Sequence, residues 1–120
     1  MSAARQPVQV TVTASSAEEA GQLAQLAVDE RLAACAQVSG PITSVYRWEG
    51  RVTEATEWAC VFKTVDDRVD ALVRAVRAAH SYDVPEILVS PVVGGDPGYL
   101  SWVDTETRAP TREDGVTPGR

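Results

Sequence analysis

The chain is poor in the residues on which most protein-held metal and redox sites depend. Its 120 residues include one histidine, His80, and two cysteines, Cys35 and Cys60, which are well separated and form no C-x-x-C pair. One copy therefore lacks the ligands of an ordinary zinc or dithiol centre. Both thiols stand in apolar surroundings and read as reduced core residues. Positive charge is also scarce, with eleven Lys and Arg against seventeen Asp and Glu and a formal net charge of −6. Such a field repels phosphate backbones and anionic headgroups, so neither nucleic acid nor a membrane surface is an expected partner. No apolar run approaches the ~20 residues that cross a bilayer, and the first residues lack the cationic start and apolar stretch of a signal peptide. These two features predict a cytoplasmic protein. Enzyme signatures are missing too. There is no G-x-S-x-G, no G-x-x-x-x-G-K-[ST] and no G-x-G-x-x-G after a strand, and no nucleophile stands beside a base, so no enzymatic activity is expected.

What the chain has is enough apolar material, 44% of its residues, to bury one core. Val8, Val10 and Val12 alternate with Gln9, Thr11 and Thr13 and predict a half-buried strand over 7–14. Ser15 and Ser16 each precede a glutamate by three positions, the capping-box spacing, so a helix should start there and run to about Ala34. Cys35 to Trp48 reads as a strand interrupted by Gly40-Pro41, a bulge or bend. Glu49-Gly50-Arg51 supplies a turn into a strand from about Val52 to Val65. Asp66 or Asp67 caps a helix with Val69, Leu72, Val73, Val76 and Ala79 on its core face, ending near His80. Glu86 to Val93 is the last strand, and Asp96-Pro97 opens a short final helix. The order predicts an α+β fold: a ferredoxin-like split βαβ sandwich, βαββαβ plus a C-terminal helix, with two helices on one face of a four-stranded antiparallel sheet. Residues 1–107 are expected to form the single domain, and 108–120, rich in Pro, Gly, Thr and charge, a disordered tail.

The hairpin is long for such a domain. An arm of about 14 residues reaches roughly 45 Å at ~3.3 Å per residue, against a diameter of about 35 Å for a compact globule of this length. Its tip should overhang and expose Tyr46, Trp48 and Trp58, and exposed patches of that kind mark association. A homo-oligomer is predicted, the alternative being a ribbon folded back on its own sheet.

Several segments, in order, resemble the CutA family of divalent-cation tolerance proteins: Leu32-Ala33-Ala34-Cys35-Ala36, Ser44-Val45-Tyr46-Arg47-Trp48-Glu49-Gly50-Arg51, Phe62-Lys63-Thr64, His80-Ser81-Tyr82-Asp83-Val84-Pro85-Glu86-Ile87 and Gly95-Asp96-Pro97-Gly98-Tyr99-Leu100-Ser101-Trp102-Val103. The resemblance runs from about Val8 to Arg108. It implies a tight homotrimer of ferredoxin-like subunits, akin to PII signalling proteins, with an association with copper and a role in metal tolerance. The sequence also departs from the family. Val12 stands where some copper-associated members carry a cysteine, and His80-Ser81-Tyr82 replaces His-Pro-Tyr.

The candidate metal ligands are His80, Asp83 and Glu86, for Cu2+ or another divalent cation, with no cofactor required. The alternative for His80 is a solvent-exposed or helix-capping histidine, which when charged faces the negative end of the helix dipole. Lys63, Glu86 and Arg47 are candidates for a small anionic ligand held between subunits, as in a PII-like sensor. For these residues the alternatives are an ordinary Glu86–Arg47 ion pair and a surface lysine. Tyr46, Trp48 and Trp58 are the candidate contacts between copies. A small enzyme of the acylphosphatase type ranks last, because its anion loop is missing.

Overall fold

Alternation of valine with polar residues builds the central strand, β1 (Pro7–Ala14), in a computed structural model that describes residues 5–108. Val8, Val10, Val12 and Ala14 are buried under the first helix, α1 (Ala17–Asp29), where Ala20, Leu23 and Ala27 meet them. The helix starts as its spacing predicts: the Ser16 hydroxyl accepts from the Glu19 N–H at 3.0 Å, and the Glu19 carboxylate returns to Ser15. It ends five residues earlier than the apolar pattern suggested. Arg31 takes a left-handed φ of 57°, and the Leu32 and Ala33 N–H groups both turn back to the Ala27 carbonyl. Leu32, Ala33 and Ala34 are buried all the same, so the apolar run continues through a turn rather than a helix.

The hairpin follows as β2 (Cys35–Trp48) and β3 (Arg51–Val65), joined at Glu49-Gly50, both with positive φ. The next segment is a single 3₁₀ turn, Asp66–Arg68, leading into α2 (Val69–Ala79). A short edge strand, β4 (Ile87–Pro91), and α3 (Pro97–Glu106) complete the domain. Two further sequence readings are adjusted here: the helix capped at Asp66 opens as the 3₁₀ turn, and β4 is shorter than Glu86–Val93 because Pro85 and Pro91 offer no N–H to a ladder. The expected tail lies outside the described residues apart from Arg108. The sheet is antiparallel with order β2-β3-β1-β4, the α+β arrangement expected. Phe62, Cys60, Leu72 and Val76 join the β1–α1 core, so α1 and α2 cover one face. Val65, at odd spacing from Phe62, points to the opposite face and is met there by Val103 of α3. Arg5 ties that end together, pairing with Asp104 at 3.1 Å and donating to Thr107 Oγ1 at 3.0 Å.

One irregularity decides what the hairpin exposes. Ser39 pairs with Ala59 and Ile42 with Glu57, so Gly40 and Pro41, joined by a cis peptide bond, bulge opposite the single residue Trp58. The bulge swaps the parity of β2. Ahead of it Cys35, Gln37 and Ser39 share the face of Lys63 and Val61; beyond it Ile42, Ser44, Tyr46 and Trp48 take that face. This is the face that α1 and α2 leave open. Trp58, grouped from the sequence with the tip, instead lies beside Ala14 and packs on the helix-side core.

Gly40 has a φ of +150°, and a Cβ there would stand 2.5 Å from Trp58 Cδ1. Gly40→Ala should cost about 1–3 kcal/mol by overpacking and backbone strain. Leu72→Ala, a cavity in the buried core, should cost about 2–5 kcal/mol. Denaturant titration at fixed protein concentration checks both, and a neutral Gly40→Ala would show that the bulge is not fixed by this contact.

Candidate functional site

The connector from α2 to β4 passes around the end of β1, and four side chains hold it there. His80 caps α2, its N–H bonded to the Val76 carbonyl at 2.9 Å. Its side chain is wholly buried. Nε2 lies 2.7 Å from the Thr13 carbonyl, and Nδ1 accepts from the Tyr82 N–H at 3.0 Å. Those partners fix the neutral Nε2–H tautomer and use both ring nitrogens. The Tyr82 ring stands 4.7 Å from the imidazole centroid, and its hydroxyl donates to Glu57 Oε2 at 2.9 Å.

Glu57 is the residue that sequence patterning did not find. It lies in β3 opposite Ile42, on the open face, and is buried although it is a carboxylate. Its partner, Tyr82, arrives from a different part of the chain, so no local spacing announces the pair. Burial together with the hydrogen bond to Glu57, and the charges of Glu57 and Glu19, pushes the Tyr82 hydroxyl up to about 12. Glu19 holds the other side of the connector: its Oε2 accepts from the Ser81 N–H at 2.8 Å and lies 3.8 Å from His80 Nδ1. Burial by itself would raise the Glu19 carboxyl. Hydrogen bonds from Ser81 and Ser15 outweigh it and hold the group below its ordinary value.

The residues singled out as ligands are distributed differently. Asp83 and Glu86 are exposed on the connector, and no three His, Cys, Asp or Glu side chains form a metal-holding group among the described residues. Val12 is buried in the core. Arg47 pairs across the hairpin with Val52, near the tip, whereas Lys63 sits opposite Gln9 at the far end of β3. Those two positions are roughly 36 Å apart at ~3.3 Å per residue. No Glu86–Arg47 ion pair occurs among the described residues. Lys63 Nζ donates to Gln37 Oε1 at 3.0 Å. Tyr46 and Trp48 are exposed, with Val45 and Val52 on the reverse face of the same tip.

Comparison with known proteins gives a consistent picture. The family model described as CutA1 divalent ion tolerance protein matches residues 8–106. The chloroplastic protein CutA 1 of Oryza sativa subsp. japonica is 41% identical over 99 residues, 82% of this chain and 56% of that protein. The divalent-cation tolerance protein CutA of Thermus thermophilus is 40% identical over 98 residues, 82% of this chain and 95% of its own. The chain thus spans little more than half the length of its plant relative and nearly all of the bacterial one. The crystal structure of CutA1 from Oryza sativa superimposes with a TM-score of 0.84 at 39% identity, covering 87% of this chain and 95% of that one.

The two shifted groups set opposite pH limits on stability. Glu19 is depressed, so its contribution is present above the ordinary value of 4.5 and is lost as pH falls through its folded value. Tyr82 is raised from 10.0 to about 12, so its contribution is complete below pH 10 and is lost as pH climbs toward 12. Glu19→Gln should flatten the acid limb of the urea midpoint against pH, and Tyr82→Phe the alkaline limb. Limbs unchanged by these substitutions would mean that neither group anchors the connector.

Proposed function

The chain belongs to the CutA1 divalent ion tolerance protein family, and from that membership we propose that it acts as a homotrimer in the tolerance of divalent cations, copper among them, without enzymatic chemistry. The observation that carries self-assembly is the hairpin. The molecule measures 52 × 29 × 22 Å, and its projecting ribbon leaves Trp48 53%, Val45 65% and Val52 66% exposed. Apolar surface of this kind on both faces of one ribbon is stabilised by a neighbouring copy. Leu88 of the short edge strand is a separate exposed apolar residue, 62% exposed, on the sheet face that α1 and α2 leave open. The number three is the one implied by the family resemblance. A cytoplasmic location is part of the proposal, alongside the fact that no described helix is long and apolar enough to cross a membrane.

The described residues do not fit a resident metal site within one subunit. His80 offers no free nitrogen, and Val12 offers no donor. We therefore assign a cation such as Cu2+ to weak, water-rich binding at the exposed Asp83 and Glu86 carboxylates, completed across the assembly. A second reading, a PII-like sensor of a small anion at Lys63, Glu86 and Arg47, draws support from Lys63, whose hydrogen-bond partner is a neutral amide. In that reading the three residues come together from different subunits.

Two measurements check the proposal. Trp48→Asp with Tyr46→Asp should release smaller species in size exclusion with light scattering, whereas retention of the full assembly would remove the hairpin from the contact. In calorimetric titration with Cu2+, His80→Ala should leave binding within about twofold and Glu86→Gln should weaken it. Loss of binding in His80→Ala would instead show that the imidazole leaves its two hydrogen bonds for the metal.

A further inference from the structure

The imidazole of His80 is buried where β1, α1 and the connector meet, and its hydrogen bonds suit the neutral ring alone. Nε2–H donates to the Thr13 carbonyl at 2.7 Å, and Nδ1 receives the Tyr82 N–H at 3.0 Å. A proton added to the ring must go to Nδ1, where it faces the Tyr82 N–H, donor against donor. That hydrogen bond cannot survive the proton. A second acceptor stands close by. Glu19 Oε2 lies 3.8 Å from Nδ1, about 1 Å beyond hydrogen-bond length, and is held in place by the Ser81 N–H at 2.8 Å. The charged and titratable groups around the ring are therefore Glu19 from α1, Tyr82 from the connector and, through Tyr82, Glu57 from β3. From β1 comes the Thr13 carbonyl.

We propose that this cluster is a proton-operated switch: when His80 is protonated, Nδ1 exchanges the Tyr82 amide for the Glu19 carboxylate, and Tyr82 gives up Glu57. The proton adds at Nδ1, while Nε2–H keeps its bond to Thr13 and serves as the pivot. Tyr82 loses the acceptor of its amide, so the connector turns at 81–82 and draws the phenol away from Glu57 Oε2, which it now reaches at 2.9 Å. Glu57 is buried on the hairpin and loses its donor, which loosens the base of the ribbon. Both states satisfy the imidazole, with an amide donor in one and a carboxylate acceptor in the other, so the change is between two discrete arrangements. The switch is complete within one subunit and rests neither on cation binding nor on assembly.

Nuclear magnetic resonance of the wild-type protein tests it directly, because the sole histidine gives an unambiguous imidazole signal. At neutral pH the ring nitrogens should report the Nε2–H tautomer. In an acid titration that stops short of unfolding, the Tyr82 amide and ring and the amides of 56–58 should all shift with the midpoint of the imidazole. Glu19→Gln keeps an acceptor but removes the charge, and should carry these midpoints together to lower pH. That common movement separates the switch from a titration of Glu57 itself. Tyr82→Phe should leave the imidazole and the amide of position 82 titrating together and should silence 56–58. The proposal would be overturned by an Nδ1–H tautomer or by an imidazole that stays neutral until the protein unfolds. Amides at 56–58 that keep their midpoint in Glu19→Gln, or their response in Tyr82→Phe, would overturn it equally.

Discussion

The structure depends on a mismatch of length: the two longest strands reach beyond the helices available to cover them. In the body of the domain, β1 buries Val8, Val10 and Val12 under α1, and β3 adds Cys60 and Phe62 to the same core. Past Glu57, which Tyr82 of the connector holds, β2 and β3 pair with each other and their side chains are largely exposed. The radius of gyration, 15.8 Å, exceeds the roughly 14 Å of a compact chain of this length, because the ribbon projects. An isolated two-stranded ribbon is marginal in water, and in the proposed assembly its order draws on a neighbouring copy. The Gly40-Pro41 bulge decides how it does so. By shifting the parity of β2, it turns Tyr46 and Trp48 to the face opposite α1 and α2, where another copy can reach them.

The same geometry explains the polar cluster at the end of β1. A carboxylate on the hairpin, Glu57, is buried and accepts from Tyr82. Tyr82 belongs to the connector that His80 and Glu19 anchor to β1 and α1. A buried carboxylate without a partner is costly, and the phenol offsets part of that cost. The hairpin base and the connector are thereby coupled, so a shift of one is felt at the other. His80 serves this coupling with both nitrogens. The lone histidine in the chain caps α2 and holds Thr13 and Tyr82.

Local signals in the sequence were faithful where one segment contained the whole cause. The alternation in β1, the Ser16 cap, the glycine turn at Gly50 and the Asp96-Pro97 start all appear where residue chemistry puts them. They failed where the cause is tertiary. Leu32 to Ala34 look helical because they are apolar, yet they are apolar because a turn delivers them to the core. Trp58 resembles Trp48 in pattern, but its register opposite Ala14 gives it to the inside. Glu57 and Tyr82 are far apart in sequence, and only the wrapping of the connector around β1 makes them a pair. Lys63, Glu86 and Arg47 are each visible as candidates, whereas their separation along the sheet emerges only from the pairing of strands.

The central claim is that one subunit is not the working unit. Sedimentation equilibrium of the wild-type chain, carried from high to low micromolar concentration, tests it most directly. The account predicts a mass three times that of one chain throughout, with secondary structure and assembly lost together on denaturation. A single folded subunit, stable and soluble at low micromolar concentration with its hairpin tip in water, would contradict it.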